Sequence, residues 1–145
     1  MSTPCILEII DKYGNKLCLY RHTDGYPQGF IPDLRRVIEA IGGPNDVEYF
    51  IANFIFIEKY NSLKRGYDWR IDIYVPVRNY EYSINYKYVM YYHDYNKAWM
   101  IEIWEYGYSE HTKIFDGTLQ EAFERFIPEE WEKGCHIKEI PPKPY

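Results

Sequence analysis

Between Trp69 and Trp104 the chain alternates apolar and polar side chains with a period of two, and this restricts its fold more than any other feature. Trp69, Ile71, Ile73 and Val75 point one way, and Arg70, Asp72 and Tyr74 the other. Ile84, Tyr86, Tyr88, Met90 and Tyr92 then share a face, and Trp99, Ile101 and Ile103 oppose Met100, Glu102 and Trp104. Successive side chains of a strand project to opposite faces, so each segment predicts a strand with one covered face. The connection His93-Asp94-Tyr95-Asn96 is short and turn-like, which joins the last two as an antiparallel hairpin.

The flanking segments supply another hairpin and the helices. Residues 5–11 and 16–22 are rich in Ile, Leu and Cys around Tyr13-Gly14-Asn15, whose residues tolerate a left-handed backbone. Thr23 to Gly29 reads as a loop. Phe30, Leu34, Val37, Ile38 and Ile41 then recur at helical spacing until Gly42-Gly43-Pro44. A second helix is predicted from a cap at Asn45, with Val47, Phe50, Ile51, Phe54 and Ile57 on one face; the apolar run 54–57 is equally compatible with a strand. A short strand at 111–115 leads to Thr118 and Glu121, a capping box for a helix carrying Leu119, Ala122, Phe123 and Phe126, ended by Pro128. The expected fold is α+β, in the order ββααββββα: an antiparallel sheet of five to six strands with helices on one face and the other partly wet. One domain over 1–140 and a proline-rich tail at 141–145 are expected.

Composition narrows the function. Apolar types make up 46% of the 145 residues and aromatic types 19%, so there is ample surface for a core. A formal charge of −5 argues against general nucleic-acid binding, which needs clustered Lys and Arg. The acidic patch Glu129-Glu130-Trp131-Glu132 is short and reads as a solvated face, as do the basic doublets Arg35-Arg36 and Lys64-Arg65. Cys5, Cys18 and Cys135 form no CxxC pair and leave an odd thiol, consistent with reduced cysteines in the cytoplasm. The chain starts without a signal-like segment and has no run long enough for a membrane helix, so neither export nor a membrane partner is expected.

The most pointed local feature is Tyr20-Arg21-His22-Thr23-Asp24-Gly25-Tyr26-Pro27, which places a cation, an imidazole and a carboxylate in a strand-to-helix turn. As a ligand site, Arg21 and His22 would meet negative charge, Asp24 and Gly25 would shape the loop, and Tyr26 would stack. As a structural turn, Gly25 would supply a positive φ, Pro27 would fix the exit, and Arg21 would pair with a neighbouring carboxylate. As a catalytic pair, His22 would be acid and base with Asp24 as its orienter, but no nucleophile accompanies them. His22, His93, His111 and His136 are scattered without ligand spacing, so neither a metal nor a cofactor is expected. Tyr86, Tyr88, Tyr91, Trp104, Tyr106 and Tyr108 form a candidate aromatic platform for a partner, set against the high β propensity of tyrosine itself.

The stretch from Tyr20 to Pro27, followed by a helix and later by Trp69, Tyr74 and Pro76 on a strand, resembles a family of small phage, prophage and mobile-element proteins with no established activity. The resemblance implies a genomic setting rather than a chemistry. The resulting expectation is a non-enzymatic binding protein that counters host defence, either by occupying a host protein through Tyr91, Trp104, Tyr106 and Tyr108 or by sequestering a small anionic, nucleotide-like ligand through Arg21 to Tyr26. A phosphodiester hydrolase using His22 and Asp24, and a structural virion protein, are the alternatives. Open sheet edges also suggest a homo-oligomer.

Overall fold

The computed structural model describes residues 2–75, 84–127 and 136–142. The elements are β1 (Cys5–Ile10), β2 (Lys16–Arg21), α1 (Pro27–Ile41), α2 (Val47–Arg65), β3 (Ile71–Tyr74), β4 (Tyr86–His93), β5 (Ala98–Tyr106), β6 (His111–Thr118) and α3 (Leu119–Phe126). The six strands form one sheet in the spatial order β3-β2-β1-β4-β5-β6.

The sheet is mixed, which corrects the wholly antiparallel expectation. β1 runs parallel to β4, with Leu7 opposite Tyr88 and Ile9 opposite Met90, while the other four pairings are antiparallel. β1, β3 and β4 run in one direction and β2 in the other, with α1 and α2 standing between the antiparallel neighbours β2 and β3. The chain leaves the first hairpin, adds β3 outside β2, and returns to the far side of β1 to begin the second hairpin. β1 is thereby central, with Ile6, Leu7 and Ile9 all fully buried.

Leu7, Ile9, Leu19, Tyr88, Met90, Ile101 and Ile103 meet the helices through Phe30, Leu34, Phe50, Phe54 and Ala122, and this is the main core. On the opposite face Ile6, Cys18, Tyr74 and Ile84 form a smaller cluster against which Tyr20 and Tyr106 pack. Ile84 therefore lies across the sheet from Tyr88 and Met90, contrary to the alternation; it precedes β4, where the period of two no longer governs. Trp69 likewise stands outside its expected strand, because Arg70 takes φ 53° and interrupts the extended run before β3.

Helix boundaries also differ from expectation. α1 begins at Pro27, with Tyr26 extended before it, so the loop is shorter than its composition suggests. Residues 54–57 lie within α2. Its cap is Asp46, whose side chain accepts from the Tyr49 amide at 3.1 Å, while Asn45 instead accepts from the Trp99 indole at 3.3 Å. The capping box of α3 is present, with Thr118 Oγ1 accepting from Glu121 N and Glu121 Oε1 accepting from Thr118 N, both at 3.1 Å. Thr118→Ala should therefore cost about 1 kcal/mol, read as a lower midpoint in urea, with Thr118→Ser close to wild type.

Residues 136–142 run beside α2. Asn61 Oδ1 accepts from the amides of Lys138 and Glu139, both at 3.0 Å, and Pro141 is buried. Pro128, Glu129-Glu130-Trp131-Glu132, Cys135, Pro76 and residues 143–145 lie outside the described residues.

Candidate functional site

Arg21 ends β2 on the helix-covered face, beside Cys5 of β1. Burying a guanidinium is costly unless every donor is matched, and here the matches come from three elements. Nη1 donates to Asp33 Oδ2 of α1 at 2.7 Å and to Glu58 Oε1 of α2 at 2.8 Å. Nε donates to the Thr23 carbonyl at 2.9 Å, and Nη2 to those of Asp24 and Gly29 at 3.2 and 3.4 Å. The Phe30 ring lies 5.4 Å from the guanidinium carbon.

The final described segment closes the cluster. Asp33 accepts from the amides of His136 at 3.1 Å and Ile137 at 2.9 Å. The His136 ring places Nδ1 3.3 Å from Glu58 Oε2 and Nε2 2.8 Å from Asp24 Oδ2. Trp69 stacks on that ring with centroids 4.2 Å apart, and the Arg65 guanidinium lies 5.2 Å from the Trp69 ring.

These neighbours set the charge states. Burial alone would lower the Arg21 pKa, but Glu58 and Asp33 raise it above its ordinary value and keep the cation. Burial alone would raise that of Glu58, but Arg21 first and His136 second hold it below its ordinary value. Burial pushes the Cys5 thiol up to about 12, so it remains protonated and is no nucleophile.

The residues singled out in the Tyr20–Pro27 stretch fall into separate roles. Arg21 points inward and reaches carboxylates rather than solvent. His22 projects to the other face, where its Nδ1 lies 2.8 Å from the Tyr20 hydroxyl. Asp24 meets an imidazole, but that of His136, so the spacing of His22 and Asp24 does not bring those two together. The left-handed residue of the turn is Asp24 at φ 53°; Gly25 is not in that region. Glycine is required at 25 by close approach: a Cβ there would stand 2.5 Å from the Thr3 carbonyl and 2.6 Å from Cys5 Cβ. Tyr26 is half-buried at the start of α1.

The aromatic platform divides between the faces. Tyr88 is fully buried in the main core and Tyr86 packs against it. Tyr91 and Trp104 lie on the opposite face and are half-buried; the Trp104 indole donates to Glu102 at 3.0 Å. Tyr106 packs on the smaller cluster and stacks on His111 at 3.7 Å, and Tyr108 is fully exposed.

Asp33, Glu58 and His136 were not singled out from the sequence. Asp33 and Glu58 do carry a signal, since each falls on the apolar stripe of its helix, and a carboxylate there needs a buried partner. His136 carries none, being brought to Glu58 and Asp33 only by the long return of the chain. These three each offer a ligand atom within 4.8 Å of the others, a spacing a metal ion could use. Arg21 Nη1 already bridges the two carboxylates, so a metal would have to displace a guanidinium.

At the surface the cluster opens on a shallow depression of about 290 Å³ lined by Thr23, Asp24, Tyr67 and Trp69. Thr23 Oγ1 is buried and has no hydrogen-bond partner among the described residues. No family model, curated protein or solved structure matches the chain.

Proposed function

We propose that this chain is a binding protein acting by occupancy, and that its contact point is the Asp24 carboxylate beside Tyr67. The observation carrying this reading is a contrast in exposure within one ionic cluster. The side chains of Arg21, Asp33 and Glu58 are 0% exposed and that of His136 is 2%, whereas that of Asp24 is 41% exposed. The enclosed charges hold the loop in place, and Asp24, although it pairs with His136 and is hydrogen-bonded to Tyr26, still presents part of its carboxylate to a partner. A carboxylate with a neighbouring exposed phenol ring favours a cation rich in donors, such as an arginine side chain of a partner protein. An anionic small molecule is less well matched, because Arg21 faces the core. In the phage or mobile-element setting that the Tyr20–Pro27 resemblance implies, the partner is a host protein.

A hydrolytic reading has less support. His136 is covered by Trp69, both its ring nitrogens face carboxylates, and His22 is engaged by Tyr20.

The test is an NMR titration with a short amidated peptide containing arginine. Saturable shifts are expected at Tyr67 and the Trp69 indole, with affinity reduced about tenfold in Asp24→Asn and in Tyr67→Ala, the worth of one charged contact. Equal binding of a glutamate peptide, or an unchanged affinity in Asp24→Asn, would sink the reading.

A further inference from the structure

α2 is apolar on the side turned away from the core as well as on the side that meets it. Tyr49, Ala52, Phe56, Tyr60 and Leu63 recur at spacings of three and four residues, which aligns them as a second stripe. Tyr49 is 45% exposed, Phe56 48% and Leu63 82%, values that leave three large apolar side chains in water along one helix. Isolated exposed apolar residues need no explanation, but a continuous stripe does.

From this stripe we infer that α2 pairs with α2 of a second copy of this chain, antiparallel about a two-fold axis at Phe56. Two features select a second copy as the occupant. The stripe is complementary to its own reverse: Tyr49 and Leu63 are each seven residues from Phe56, and Ala52 and Tyr60 each four, so in an antiparallel pair the small alanine faces the large tyrosine. A two-fold interface requires this self-complementarity. The charges agree in direction, since Asp46 and Glu48 begin the helix and Lys64 and Arg65 end it. An antiparallel pair sets the acidic end of each helix beside the basic end of the other, whereas a parallel pair would set like against like. Lys64 contacts Glu139 at 3.3 Å, but both side chains are more than half exposed, so this pair is readily exchanged.

Tyr49 to Leu63 spans about 21 Å of helix. Two such faces cover on the order of 1,000 Å², the low end of specific interfaces, so association is sought at concentrations up to the submillimolar. The inference does not depend on the Asp24 site.

Sedimentation equilibrium provides the test, through a concentration-dependent rise toward twice the 17.6 kDa mass of the chain. Phe56→Glu puts two carboxylates across the axis and should weaken association about 100-fold or more. Phe56 is half exposed, so the circular dichroism spectrum should be unchanged; Leu63→Glu, at a still more exposed position, is the second variant. Orientation is read by mixing Tyr49→Cys protein with Leu63→Cys protein under mild oxidation, when a 49–63 cross-link between copies should dominate in peptide mapping. A wild type that stays monomeric at submillimolar concentration, association undiminished in both glutamate variants, or predominant 49–49 and 63–63 links would each overturn the inference.

Discussion

Arg21→Ala should destabilise the protein by about 3–5 kcal/mol, the effect of leaving buried carboxylates without their cation. Domains of this size are commonly stable by about 5–15 kcal/mol in all, so the variant should unfold at much lower urea concentration or fail to accumulate. The mechanism is specific. Asp33 and Glu58 keep their burial when Arg21 is removed, and the carbonyls of Thr23, Asp24 and Gly29 lose donors together. Arg21→Lys should recover only part of the loss, because a lysine ammonium is a compact point charge and cannot reproduce the planar fork. A melting temperature for Arg21→Ala within a few degrees of wild type would mean that the cluster contributes little.

The same cluster predicts how stability follows pH. In the wild type Glu58 has its pKa held below the ordinary 4.5, so its contribution is present above that value and is lost as pH falls through the lower, folded-state value. In Arg21→Ala burial is opposed chiefly by His136, and the Glu58 pKa should move above its unfolded value. The sign then reverses: the buried carboxylate is destabilising at neutral pH, and mild acid relieves it by protonation. Urea midpoints measured from pH 7 toward pH 5 should therefore rise for the variant relative to wild type, and parallel profiles would contradict this account of Glu58.

Legibility in the sequence followed the range of the interaction concerned. The hairpins, the helix stripes and the Thr118–Glu121 box depend on neighbours a few residues apart, and those patterns are written locally. The parallel β1–β4 pairing depends on where the chain places β4 after β3, on the far side of β1. Its one local trace is Cys5-Ile6-Leu7-Glu8-Ile9-Ile10, a nearly unbroken apolar run that suits a central strand covered on both faces. The ionic cluster divides in the same way. Arg21 and Asp24 stand out within eight residues, and the sequence is compatible with pairing of Arg21 to a carboxylate, but the identity of its partners is not readable there. Asp33 and Glu58 were obscured by stripes read for their apolar members alone, and His136 joins from a segment that meets them only in the folded chain.

Gly25→Ala should be nearly as damaging as Arg21→Ala, at about 3 kcal/mol, although alanine adds a single methyl group. A Cβ at 25 would stand 2.5 Å from the Thr3 carbonyl, 2.6 Å from Cys5 Cβ and 2.9 Å from Cys5 Sγ. The first of these is backbone, so no side-chain rotation relieves the contact. Either the start of β1 or the Asp24–Gly25 turn has to move, and each movement breaks something further. The Gly25 amide donates to Thr3 at 2.7 Å, and the Gly25 carbonyl accepts from the buried Tyr88 hydroxyl. Moving the turn also shifts the Asp24 carbonyl away from Arg21 and the Asp24 side chain away from His136. A double variant with Cys5→Ala separates these terms: it removes the Sγ contact but leaves the carbonyl in place, so it should restore only a minor part of the loss. Full rescue by Cys5→Ala would show that the thiol was the obstacle and that the backbone of β1 can yield. Retention of that strain in the folded double variant should instead appear as weaker arginine-peptide binding, because the position of Asp24 is set by the packing of Gly25 against β1.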